Sequence, residues 1–254
     1  MTNARHVTIE ICVEGIDGLL AAQDAGADRV ELCASLLEGG LTPSMGVVRT
    51  SLRMARVPFY VMVRPRGGDF LYSPAEFDTM LSDVEALRSE GAAGVVFGCL
   101  LPDGRIDEDR MTALAAAARP MAVTCHRAFD MTRDAEEAVE ALVRSGVDRV
   151  LTSGLHDHAE DGLDTLIRVV RAARGRLKIM ACGGLDASNI ASILHRSGAD
   201  ELHFAANMTV PSGMQHRNPR IGMGGTDLAR EFELTLTDPD AVRRTILAAR
   251  TALV

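Results

Sequence analysis

Polar and hydrophobic positions along this chain change rhythm repeatedly, from a period of two to a helical period and back. Near the start, I-E-I-C-V (Ile9 to Val13) places Glu10 and Cys12 between three aliphatic residues. Twenty-one residues later V-E-L-C-A (Val30 to Ala34) repeats the pattern with Glu31 and Cys33. Strict alternation of this kind reads as a β-strand. One phrase then recurs: G-A-D-R-V-E-L from Gly26, G-A-A-G-V-V-F from Gly91, G-V-D-R-V-L-T from Gly146 and G-A-D-E-L-H-F from Gly198. Each copy follows an amphipathic segment, so its glycine suits the left-handed residue that ends a helix, and its apolar residues begin a strand.

Four further strands are expected at Thr8 to Val13, Phe59 to Val63, Ala122 to His126 and Leu177 to Cys182. Helical patterns run over Ile16–Ala25, Met45–Ala55, Pro74–Glu90, Asp107–Ala117, Asp134–Ser145, His158–Ala173, Ala187–Ser197 and Pro239–Leu253. Ser73 before Pro74 and Asp238 before Pro239 read as capping residues ahead of a proline in the first helical turn. Alternating strands and helices demand parallel strands with right-handed crossovers, and eight such units in 254 residues predict an α/β fold, a single-domain (β/α)8 barrel. A doubly wound open sheet is the alternative, but no G-x-G-x-x-G follows the first strand and no nucleotide cofactor is expected. The stretch 206–237 is too long for a routine connection, and its end, E-F-E-L-T-L-T, alternates like an added edge strand. It is expected to be a lid over the barrel mouth or an oligomer contact.

In such a barrel, alternate strand residues face the interior, and the chemistry gathers at the C-terminal ends of the strands. Val30 and Leu32 then face the helices, leaving Glu31 and Cys33 pointing inward beside Glu10 and Cys12. The two cysteines are expected nearer the mouth, with the two glutamates one layer below. The third strand leads to Arg64, with Arg66 and Asp69 on its exit loop. The fifth leads to His126, Arg127 and Asp130, the sixth to Ser153, the seventh to Cys182, Gly183 and Gly184, and the eighth carries His203. A buried carboxylate without a partner costs several kcal/mol, so Arg64 is the expected cation for Glu31.

Composition narrows the partners. Twenty-seven basic against 35 acidic side chains give a formal charge of -8, which repels nucleic acid and anionic membranes. No run approaches the roughly 18 apolar residues of a spanning helix, and the opening M-T-N-A-R-H-V-T lacks the apolar segment of a signal peptide. A cytoplasmic location is expected. The five cysteines are odd in number and widely spaced, which argues against a disulfide framework and leaves packing, metal ligation or nucleophilic chemistry.

Each polar group also has a plainer role. The cysteines serve as small buried hydrophobes, the histidines as core residues, and the arginines as partners of Asp69, Asp130 or the glutamates. Two sulfurs on adjacent strands nevertheless come within reach of one soft ion such as Cu(I). Gly183 and Gly184, before L-D-A-S-N, read as a phosphate cradle, although A-A-N-M after the eighth strand supplies no glycine to complete it.

The runs E-I-C, G-A-D-R-V-E-L-C, E-G-G-L-T-P-S-M-G, V-M-V-R-P-R-G-G-D-F-L-Y-S, T-C-H-R-A-F-D-M and E-L-H-F together resemble the CutC family of copper homeostasis proteins. The resemblance implies a cytoplasmic, usually oligomeric barrel with copper bound at the positions of Cys12 and Cys33. Three departures from the family pattern stand out: Cys125 in place of Phe, Cys182 in place of a third glycine, and Phe204 to Asn207 in place of small polar and basic residues. Three readings follow. The first is a copper(I)-binding homeostasis protein with Cys12 and Cys33 as metal ligands. The second is an enzyme on a small anionic or sugar-like substrate. Glu10, Glu31, His126 and His203 would be its catalytic groups, with Arg64, Arg66, Asp69, Arg127, Asp130, Ser153, Gly183 and Gly184 against the substrate. The third is an oligomeric binding module without turnover.

Overall fold

The computed structural model of the chain describes residues 7–218, 220–222 and 230–252. The opening residues 1–6 and the expected helix end at Leu253 lie outside the described residues, as do 219 and 223–229 of the long excursion. Eight parallel strands close into a barrel in chain order. They are β1 (Thr8–Glu14), β2 (Arg29–Cys33), β3 (Phe59–Met62), β4 (Gly94–Phe97), β5 (Ala122–Cys125), β6 (Arg149–Thr152), β7 (Lys178–Ala181) and β8 (Glu201–Phe204). Between and after them lie α1 (Gly15–Asp24), α2 (Met45–Met54), α3 (Pro74–Glu90), α4 (Glu108–Ala118), α5 (Ala135–Arg144), α6 (Leu163–Ala173), α7 (Ile190–Ser197) and α8 (Pro239–Thr251). The chain is a (β/α)8 barrel, and β8 closes it by pairing Glu10 with His203.

The recurring phrase has a structural cause. Its four glycines, Gly26, Gly91, Gly146 and Gly198, all adopt positive φ. In the three copies that carry aspartate, the carboxylate accepts the backbone N–H of the strand before it. Asp28 takes Ile9 N–H, Asp148 takes Val123 N–H and Asp200 takes Ile179 N–H. Each turn thus ends a helix and holds down the base of a neighbouring strand. Both proline-led helices are capped as expected, Ser73 and Glu76 forming a reciprocal box and Asp238 accepting from Asp240 and Ala241. The seventh helix begins three residues later than its pattern predicts. Asp186 captures the Ser188 N–H and hydroxyl, and Asn189 bonds back to Gly184 and Asp186, which holds that segment as a turn.

Strand parity sorts the core into two regions. Ile9, Ile11, Val13, Val30, Leu32, Val61, Val95 and Leu202 pack against the helices. Inside the barrel sit Cys12, Cys33, Tyr60, Met62 and Val96 on one side and Leu151, Met180 and Cys182 on the other. The expected layering needs one correction. The stagger of a closed barrel sets Glu31 level with Cys12 rather than beneath it, and Cys33 level with Glu14. Only Glu10 lies a layer down, opposite Arg29.

That lower layer is charged. Arg29 pairs with both Glu10 and Glu201, and Arg149 reaches Glu201 at 3.2 Å. The guanidiniums of Arg29 and Arg149 lie 4.7 and 5.0 Å from the centre of the Tyr60 ring. Two cations, two carboxylates and an aromatic face fill the barrel floor with their charges balanced.

The long excursion forms a two-stranded ribbon, β9 (Asn207–Pro211) antiparallel to β10 (Glu233–Thr237). Its register pairs Met208 with Leu236 and Val210 with Leu234, which puts four apolar side chains on one face. Met208, Leu234 and Leu236 are exposed. Among the described residues, no helix is long and apolar enough to cross a membrane.

The floor generates a stability prediction. Replacing Arg29 by Met strands Glu10 and Glu201 without their shared cation, and denaturant unfolding should lose about 3–5 kcal/mol. A loss below about 1 kcal/mol would show that the floor does not depend on Arg29.

Candidate functional site at the barrel mouth

A chain of polar contacts climbs from the floor to the mouth. Glu10 Oε1 lies 2.8 Å from His203 Nδ1, and His203 Nε2 lies 3.8 Å from Glu31 Oε2. The Cys33 thiol approaches Glu31 Oε2 at 3.6 Å, and Cys12 Sγ lies 4.0 Å from Cys33 Sγ. All five residues are buried. Donor atoms of Cys12, Glu31 and Cys33 fall within 4.8 Å of one another, and so do those of Glu10, Glu31 and His203. Glu31 belongs to both sets.

The protonation states follow from this packing. Burial would raise the Glu10 pKa, but the hydrogen bond from His203 and the charge of Arg29 bring it down to about 2. Burial equally opposes charge on His203, yet the Glu31 carboxylate and the contacts to Cys12 and Glu10 hold its pKa well above the usual imidazole value. Glu31 is raised by burial and by the like charge of Glu10, against the opposing charge of His203. Cys12 is pushed well up by its contact with Cys33 and by burial. Cys33, although favoured by its bond from Cys12, is raised to about 11 by burial and by Glu31. At neutral pH the two sulfurs are therefore thiols.

Local sequence explains why Cys33 is enclosed. Ser35 turns left-handed, a 3-10 turn spans Leu36–Glu38, and Leu41 bridges back to Ala34. The chain thus folds over the end of β2. Gly40, at positive φ, passes so close that a Cβ there would lie 3.1 Å from the Cys33 sulfur. This is the structural meaning of the E-G-G-L run.

Arg64 holds that lid and is not the partner of Glu31, which corrects the expected ion pair. Its guanidinium donates to the carbonyls of Glu38, Gly40 and Gly68 and stacks 5.1 Å from the Phe70 ring centre. Among the described residues it makes no ion pair. The cations that balance the interior glutamates are Arg29 and Arg149, which the sequence reading passed over together with Glu201 and Tyr60. The signal was present, because each lies two positions before an inward residue: Arg29 before Glu31, Arg149 before Leu151, Glu201 before His203.

A cavity of about 330 Å³ opens above the chain of contacts. Of the predicted residues, Cys12, Glu31, Arg64, His126, Arg127, Gly183, Gly184 and His203 line it, joined by Cys182, Phe70, Phe204 and Asn207. The remaining predicted residues stand elsewhere. Arg66 binds Glu76 and Asp69 on the outer loop, away from the cavity. Asp130 is taken up by structure. It accepts from Thr152 Oγ1 at 2.5 Å, from the Ser153 N–H and hydroxyl, and from Arg127 Nε at 2.8 Å, tying the end of β5 to β6. Arg127 also donates to Ser153 Oγ at 2.7 Å. Gly183 and Gly184 have positive φ, and Cβ atoms there would press on Ser153 and His158, so close packing already accounts for both glycines.

His126 differs from His203. Its Nδ1 accepts the Ala128 N–H at 3.1 Å, which leaves Nε2 as the protonated nitrogen, and that atom has no hydrogen-bond partner among the described residues. Burial and the Arg64 charge lower its pKa to about 3. Glu31 Oε1 is likewise buried and without a partner. The cysteine replacements divide by parity, Cys125 packing into the helix layer and Cys182 facing the cavity.

Comparison with known proteins identifies the family and the fold. The family model described as the CutC family matches residues 7–208, which include every interior residue named above. A CutC protein of Mesorhizobium japonicum is 63% identical over 249 residues, covering 98% of this chain and 96% of its own. A human copper homeostasis protein cutC homolog is 44% identical over 251 residues, covering 99% and 92%. A CutC crystal structure from Streptococcus agalactiae aligns with TM-score 0.74 and 30% identity over 78% of this chain and 98% of its own. Thiamine phosphate pyrophosphorylase from Pyrococcus furiosus aligns at TM-score 0.59 and 13% identity, a likeness of fold alone.

The contact chain has a pH signature. Because the Glu10 pKa is about 2 when folded against 4.5 ordinarily, the unfolded chain binds more protons between those values. Its stabilisation is present above about pH 5 and is lost as pH falls towards 2, by about 3 kcal/mol at most. Unfolding free energies measured from pH 6 to 3 should fall less steeply in Glu10→Gln than in the parent. Equal slopes would show that Glu10 is not held ionised.

Proposed function

This chain belongs to the CutC family, and we propose that it handles copper by binding copper(I) as cargo between Cys12 and Cys33. The observation that carries this reading is the 4.0 Å separation of the two sulfurs on adjacent strands. Two metal–sulfur bonds of about 2.3 Å each span such a gap. Thiolates are the preferred donors for Cu(I), which accepts as few as two. The surroundings support it. The site is buried, so a bound ion is shielded from water, and Glu31 stands against Cys33 at 3.6 Å to take up a displaced proton. The names of the relatives, copper homeostasis protein cutC homolog in human and mouse, point the same way.

A cytoplasmic location and self-association belong to this reading. A cytoplasmic location is supported by five free, buried thiols, which persist in a reducing compartment. Self-association is supported by the exposed apolar face of the β9–β10 ribbon.

Anaerobic titration of the chain with Cu(I) against a chromophoric chelator tests the proposal. One tightly held ion per chain is expected, and the Cys12→Ala, Cys33→Ala double variant, which keeps the other three cysteines, should lose it. Because both thiols must give up protons, apparent affinity should rise by about one to two decades per pH unit between pH 6 and 8. Equal affinity in the double variant would overturn the reading.

A further inference from the structure

The cavity is larger and differently furnished than an ion between two sulfurs requires. Its volume of about 330 Å³ falls in the range of small-molecule sites. At about 30 Å³ per water, it has room for a small organic molecule. Among the described residues, three of its groups lack the partner that burial demands. His126, on the cavity lining, is 3% exposed, its Nδ1 is committed to Ala128, and its buried Nε2–H has no acceptor. Arg64, on the same lining, is 6% exposed, makes no ion pair, and leaves its buried Nε–H without an acceptor. Phe70 binds the two together, its ring 4.8 Å from that of His126 and 5.1 Å from the Arg64 guanidinium. On the β2 side, Glu31 is 2% exposed and its Oε1 has no hydrogen-bond partner. Buried groups in this condition cost free energy until a ligand satisfies them.

The chemistry of the missing partner can be read from these groups. An N–H donor beside an unpaired single cation calls for an anionic oxygen carrying one charge. A phosphate is disfavoured, because the entrance to α7, where such barrels gather donors, is occupied by the Asp186 carboxylate on Ser188. Glu31, also on the cavity lining, calls for a hydroxyl on the same molecule that can donate to its Oε1. Leu36, Leu151, Leu185 and Phe204 line the rest and restrict it to a short carbon skeleton.

We propose that the cavity is the binding site of a small hydroxycarboxylate. Its carboxylate meets His126 Nε2–H and the Arg64 charge, and its hydroxyl donates to Glu31. The inference does not depend on copper, because none of these three contacts uses a sulfur.

The test is ligand-observed NMR and calorimetry on the full chain without metal, using glycolate, lactate, glycerate and malate as probes. Acetate, glycerol phosphate, inorganic phosphate and glucose form the comparison set. At least one hydroxycarboxylate is expected to bind with a Kd below about 1 mM, more tightly than any member of the comparison set. The variants Arg64→Gln and His126→Asn should each weaken it tenfold or more, and Glu31→Gln should narrow the preference over acetate. Because Arg64 also holds three carbonyls, His126→Asn carries the test if Arg64→Gln fails to fold, since Asn keeps an acceptor for Ala128 N–H. Failure of all four probes to bind would overturn the proposal. So would tighter binding of phosphate or glucose, or unchanged affinity in His126→Asn.

Discussion

Arg29 joins Glu10 and Glu201 in the floor of the barrel, where both glutamates are buried, and the mouth is organised by that junction. The hydrogen bond from His203 and the charge of this cation keep Glu10 ionised. The Glu31 carboxylate and the contacts to Cys12 and Glu10 hold the His203 pKa well above the usual imidazole value, and His203 stands against Glu31. Glu31 in turn meets Cys33, which faces Cys12. Burial alone would neutralise every acid in this series. What prevents it at Glu10 is the hydrogen bond from His203 together with the Arg29 cation, which belongs to the same inward-facing row of β2 that carries Glu31 and Cys33.

The site therefore has two unlike halves that share Glu31. One half is sulfur and carboxylate, its two sulfurs held as thiols and closed over by Gly40, suited to a soft ion that displaces protons. The other half is a cavity with a neutral histidine donor and an unpaired guanidinium, suited to an anionic organic group. Arg64 connects them mechanically, because it grips the carbonyls of the loop that covers Cys33 while presenting its charge to the cavity.

Several polar residues near the mouth serve the frame rather than the chemistry. Asp130 is saturated by donors from Thr152, Ser153 and Arg127, and Arg66 is bound to the cap of α3 through Glu76. Their types are those a substrate site would use, and their placement is what a barrel needs to hold long exit loops in register. The distinction rests on whether a polar atom already has its partners, which residue type alone does not reveal.

Much was legible from the amino-acid sequence itself. Period-two alternation settled that Glu10, Cys12, Glu31, Cys33 and His203 face inward, because strand geometry leaves side chains only two directions. The G-x-D repeats marked the helix-to-strand turns, since only glycine enters the left-handed region freely. The count of alternating elements settled the barrel. Tertiary structure alone decided the partners. Stagger between neighbouring strands sets Cys12 level with Glu31, and loop paths carry Arg64 to carbonyls instead of a carboxylate. The closing of β8 on β1 brings Glu201 and His203, nearly 200 residues away in sequence, against Arg29 and Glu10. Periodicity fixes which way a side chain points within its own strand, whereas the distance between side chains on different strands depends on shear and closure, which no local pattern encodes.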